Sequence, residues 1–99
     1  MFEVHYSNKA NKDLDNLLQV IIANYKAPIT AYRYTQGVIN TIRSTAKAPE
    51  AYPVQTSQSL QQYGQNVRRV NYKKMAIIYT VHNNIVYVHR IIPSAIIID

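Results

Sequence analysis

The sequence has no cysteine, which removes disulfides, thiolate nucleophiles and thiolate metal sites at once. That absence fits a reducing compartment, and the cytoplasm is the expected location. Only two glycines are present, Gly37 and Gly64, so the glycine-rich loops that cradle nucleotide phosphates are excluded. The histidines His5, His82 and His89 are isolated from one another in sequence, with no His-x-x-x-His spacing and no carboxylate cluster. A metal site is therefore not expected. A Gly-x-Ser-x-Gly elbow is also missing, so covalent hydrolysis lacks a nucleophile setting. No cofactor is called for. No apolar run is long enough to cross a bilayer, and Met1-Phe2-Glu3-Val4 reads as a strand rather than as a secretory leader. Acidic residues are the scarce charge: five against eleven lysines and arginines, for a net charge of +6. None lies between Glu50 and Asp99, the stretch that holds Arg68, Arg69, Lys73, Lys74 and Arg90. So uneven a field suits an acidic protein segment or a nucleic acid as partner.

What is present is a single domain, residues 1–99, with just enough chain for one core. Its centre is Val67 to Pro93, three runs rich in β-branched and aromatic residues joined by two short breaks. Lys73-Lys74 makes one tight turn and His82-Asn83-Asn84 the other, asparagine being tolerant of left-handed backbone. In the middle run Met75, Ile77, Tyr79 and Val81 share one face, and Ala76, Ile78 and Thr80 the other. Apolar residues on both faces predict a central strand covered on both sides.

Upstream, Phe2, Val4 and Tyr6 alternate with Glu3 and His5 as a half-buried strand. Ser7 is a candidate N-cap, with Asp13 and Asp15 in the early turns of the helix it opens. Ala10, Leu14, Leu17, Leu18, Ile21, Ile22 and Tyr25 then recur at helical spacing. Ala27-Pro28 breaks that helix and starts a second, to about Ala46, with Ala31, Tyr34, Val38, Ile42 and Ala46 as its inner stripe. Gly37 in mid-helix suggests a close approach to the first helix. The short break predicts an antiparallel hairpin, which places Leu14, Leu17, Leu18, Ile21, Val38, Ile42, Val70, Tyr72, Ile78 and Val88 between helices and sheet. Lys47 to Asn66 reads as a surface loop with a turn of helix near Leu60. After Pro93, the tail Ser94-Ala95-Ile96-Ile97-Ile98-Asp99 either tucks into the core or offers a sticky end to a partner.

Taken in order, FEVHYSNKANKDLDNLL, the Ala27-Pro28 break with Ala31-Tyr32, Pro49 in the loop, and VRRVNYKKMAIIYTVHNNIVYVHRII resemble the RelE/ParE toxin superfamily over nearly the whole chain. The resemblance implies an α+β fold of order β-α-α-β-β-β, an antiparallel sheet with a helix hairpin packed on one face. It also implies the toxin of a bacterial type II toxin–antitoxin pair, of the kind tied to plasmid stabilisation and neutralised by a cognate antitoxin. A homodimer and a hetero-oligomer with that antitoxin both stay open. Members resembling ribosome-dependent, metal-independent mRNA endonucleases carry an arginine where this chain has Ala76. They also carry a basic residue and a tyrosine near the C-terminus, where it has Pro93-Ser94-Ala95-Ile96-Ile97-Ile98. The ParE-like branch, which poisons DNA gyrase by binding, matches Arg68-Arg69 and Arg90. The resemblance therefore favours a ParE-like binder using Arg68, Arg69, Lys73, Lys74, Arg90, Ile96 and Ile97 toward target or antitoxin. The alternative is a nuclease acting on mRNA at the ribosome, for which Arg69, Lys74, His82 and Tyr79 are the candidate catalytic residues.

Overall fold

The computed structural model describes residues 2–98; Met1, assigned above to the opening strand, and Asp99, at the end of the tail, lie outside the described residues. The chain forms strand β1 (Glu3–Tyr6), helix α1 (Asn8–Tyr25) and helix α2 (Pro28–Thr45). It then crosses an irregular segment with 3-10 turns at Pro49–Ala51 and Gln58–Tyr63. The meander β2 (Arg68–Tyr72), β3 (Met75–His82) and β4 (Ile85–Pro93) follows, and a last 3-10 turn covers Ser94–Ile96. None of the helices is long and apolar enough to cross a membrane.

Local chemistry sets the boundaries. Ser7 caps α1, its hydroxyl accepting from Ala10 N–H at 3.0 Å. Lys26 ends that helix in the left-handed region, and Pro28 supplies the first residue of α2. Both hairpins turn through one positive-φ residue, Lys73 and Asn83. The strand order is β1-β4-β3-β2. The meander is antiparallel as expected, but β1 joins it parallel to β4. A parallel pair needs a long crossover, and everything between Ser7 and Asn84 provides it.

The helices cover one face of the sheet, where Ala10, Val38, Ile42, Ala46, Val70, Met75, Ile77, Tyr79, Val86, Val88 and Ile91 form the main core. A second cluster occupies the opposite face: Leu60 from the loop and Val67, against Ala76, Ile78 and Ile92. Ile78 is thus fully buried, but on the side away from the helix hairpin, because the alternation of β3 carries it there. Leu14, Leu17 and Leu18 are half-buried, and Tyr25 stands exposed at the hairpin tip. Gly37 does mark a close approach, but to Tyr72 on β2 rather than to α1: a Cβ there would lie 2.1 Å from the Tyr72 hydroxyl.

One irregularity shapes β4. Ile78 pairs with Arg90 but Tyr79 pairs with Val88, so His89 is an inserted residue, a β-bulge. β1 covers β4 only as far as Val88. Beyond it, α1 finishes the edge. Ser7 Oγ donates to the His89 carbonyl at 2.7 Å, and the Ile91 amide donates to Asp13 Oδ2 at 2.9 Å.

Candidate functional site

The structure divides the sequence-selected cations by what they already hold. Arg90 donates to both oxygens of Asp13, from Nε at 2.8 Å and from its terminal nitrogen at 3.0 Å. That bond pushes the guanidinium pKa still further up. Asp13 lies past the first turn of α1, so its carboxylate serves Arg90 and the Ile91 amide rather than the helix dipole. Arg68 is likewise occupied, donating to the carbonyls of Glu50 and Tyr52 and so tying the loop to β2. Tyr79 reaches the same loop from below, its buried hydroxyl donating to the Pro49 carbonyl at 2.6 Å. Burial pushes that phenol up to about 12, outweighing the nearby Arg68.

The face away from the helices is different. Arg69 projects there, opposite Ile78, with its Nε on Asn71 Oδ1 at 3.0 Å. Higher on the same face, Thr80 Oγ1 lies 2.8 Å from His82 Nε2 and 2.8 Å from His89 Nε2. A hydroxyl has one proton, so two neutral imidazoles can share it only as opposite tautomers. One ring then carries its proton on Nδ1 and the other leaves Nδ1 as an acceptor, so the pair holds both a donor and a base. The Tyr87 ring meets His89 edge-on at 4.8 Å, and Tyr63 from the loop is tilted against it at 5.5 Å. Burial, followed by the neighbouring His82, holds the His89 pKa below its usual value. Among the described residues, no group of three or more His, Asp or Glu side chains could hold a metal ion.

The nuclease candidates therefore do not converge. Arg69 and His82 lie on the face away from the helices, Tyr79 on the helix-covered face, and Lys74 on the exposed β2–β3 turn. The tail also splits: Ile97 packs against the second cluster, while Ile96 is 61% exposed and lines a groove of about 230 Å³ with Leu17, Val20 and Arg90. Sequence reasoning missed the Thr80–His89 contact, because partners nine residues apart meet only once the β3–β4 turn is closed. It also read Tyr34 as core alone. In fact Tyr34 and Tyr72 pair edge-to-face at 5.3 Å, with Lys73 Nζ 5.5 Å from each ring centre. Those three side chains, Thr30 and Arg33 line a cleft of about 220 Å³.

Around these features the surface is basic and locally apolar. Among the described residues, Arg90 is the one lysine or arginine with a carboxylate partner. Tyr25, Ile29 and Tyr32 stand exposed at the tip of the helix hairpin.

The fold can be set beside known proteins. A chain of the structure titled "Chromosomal ParDE TA system from P. aeruginosa" superposes with a TM-score of 0.77 at 16% identity, over 94% of this chain and 96% of that one. No curated protein matches the sequence. The family model described as "ParE toxin of type II toxin-antitoxin system, parDE" matches residues 4–97, and since that span takes in both helices and all of the sheet except Glu3 at the start of β1, the chain belongs to the ParE toxin family.

Proposed function

We propose that this chain arrests bacterial growth by binding DNA gyrase, and that a cognate antitoxin neutralises it in the cytoplasm through an apolar, acidic segment. The observation that carries this reading is the surface: cations without carboxylate partners beside exposed Tyr25, Ile29 and Tyr32. Large exposed apolar side chains set among like charges suit a protein partner that brings the opposite charge. Arg68 and Arg90 belong to the scaffold in this reading, and Arg69, Lys73, Lys74 and Ile96 remain for contact.

A second reading, metal-independent cleavage of ribosome-bound mRNA, rests on the His82–Thr80–His89 arrangement. Cleavage needs a base for the 2′-hydroxyl and an acid for the leaving oxygen, and two imidazoles of opposite tautomer offer both. One experiment separates the two. The purified chain is added to gyrase with plasmid DNA and, in parallel, to programmed ribosomes. Gyrase-linked DNA breaks with intact mRNA support the binder. Codon-phased mRNA cleavage that disappears in Arg69→Ala would overturn it.

A further inference from the structure

We propose that the cleft between the start of α2 and the β2–β3 turn seats a carboxylate side chain of a protein partner, held between Lys73 and Arg33. The backbone gives the first indication. Lys73 adopts φ 51, a left-handed conformation that favours glycine or asparagine, and the other hairpin of the meander uses Asn83 at its equivalent bend. A lysine at such a bend carries a conformational cost, and strain of this kind collects where a particular side chain is needed. Here the bend aims the ammonium over Tyr34 and Tyr72, 5.5 Å from both ring centres. Cation–π attraction fixes the charge in place, and no carboxylate among the described residues pairs with it.

The rest of the cleft is equally pre-set. Tyr72 sits against Gly37, where any larger residue would collide with its ring. Arg33 and Thr30 close the side formed by α2, and among the described residues no acidic one lines the space. Two cations around aromatic walls call for a small anion on an aliphatic stem. Aspartate and glutamate side chains fit that description. A nucleic acid fits less well, because Lys73 already occupies one face of each ring that a base would stack on. This assignment rests on the reading above, in which an acidic antitoxin binds the chain.

The test uses the full chain and its full-length cognate antitoxin. Lys73→Gly keeps the turn, since glycine accepts φ 51, and the melting temperature should hold or rise. Affinity for the antitoxin should nevertheless fall at least tenfold, and Arg33→Gln should do the same. Lys12→Gln, which removes an exposed cation on α1 well outside the cleft, should change affinity less than twofold. Lys73→Glu should be rescued by reversing one antitoxin acid to lysine. Binding that ignores both Lys73→Gly and Arg33→Gln overturns this inference alone. Failure of the wild-type chain to bind the antitoxin overturns it together with the reading it rests on. A cleft that serves an oligonucleotide, with Lys73→Gly weakening single-stranded RNA but not antitoxin, also overturns it.

Discussion

Replacing Gly37 by alanine should destabilise the protein, although in most exposed helices the same change would stabilise it. The expected gain from helix propensity is about 1 kcal/mol. Against it stands the geometry: the new methyl would lie 2.1 Å from the Tyr72 hydroxyl, 2.2 Å from Cζ and 2.8 Å from Cε1. Carbon contacts need roughly 3.5–4.0 Å, so the ring must swing away from α2. Displacing it gives up the edge-to-face contact with Tyr34, about 0.5–1.5 kcal/mol, and the Lys73 cation–π contact, about 0.5–1 kcal/mol. Overpacking of this kind costs about 1–3 kcal/mol in total. Subtracting the propensity gain leaves a net loss centred on about 1 kcal/mol and reaching at most about 2, so the melting temperature should fall by roughly 4–8 °C for a domain of this size. Urea and thermal denaturation followed by circular dichroism read both numbers. The decisive comparison is in a Tyr72→Ala background, where the obstacle is gone. There Gly37→Ala should stabilise by about 1 kcal/mol, the bare propensity term. A Gly37→Ala protein as stable as the wild type, or an effect of the same sign in both backgrounds, would refute the reasoning.

Three further outcomes follow from the packing and the charges. Asp13→Ala leaves a half-buried arginine and the Ile91 amide without their acceptor, so it should cost about 2 kcal/mol, short of the full buried-pair penalty. The exposed Asp15→Ala should cost much less, and equal melting temperatures for the two would remove the role given to Asp13. His89 titrates lower in the folded chain than its unfolded value of 6.5, so the unfolded chain takes up its proton first. Stability should therefore be full above that pH and decline as pH falls below it, and His89→Gln should flatten the slope in that window. Ile42→Ala and Leu60→Ala, each removing a fully buried side chain, should cost about 2–5 kcal/mol, with half-buried Leu18→Ala below both. An unaffected Leu60→Ala would mean that the second cluster contributes nothing to the fold.

The elements that could be read from sequence were those fixed by neighbours in the chain. Each run of the meander carries its own β-branched residues and its own turn, so β2, β3 and β4 fall where the pattern puts them. The Ser7 cap and the Pro28 start are equally local. What stayed hidden depends on distant partners. Alternation sorts Ile77 from Ile78, but it cannot tell which face the helices will cover. Gly37 announced a close approach, yet Tyr72 lies thirty-five positions away and nothing local names it. The parallel seat of β1, and the Asp13–Arg90 pair spanning seventy-seven positions, belong to the same class. For the candidate site, charge composition found the cations but not their employment. Arg68 and Arg90 looked the same as Lys73 until their acceptors were visible.

The inserted residue in β4 separates two kinds of change. Removing His89 would join Val88 directly to Arg90, and Ile91 and Ile92 would keep the faces they already occupy. A chain one residue shorter at this point could therefore build the same core. It would lose the second imidazole on Thr80 and the His89 carbonyl that accepts from Ser7 Oγ. A length difference at position 89 between this chain and a relative would thus be silent in the interior and audible only at the surface. Single-residue gaps here are better markers of altered surface chemistry than substitutions in the strand itself.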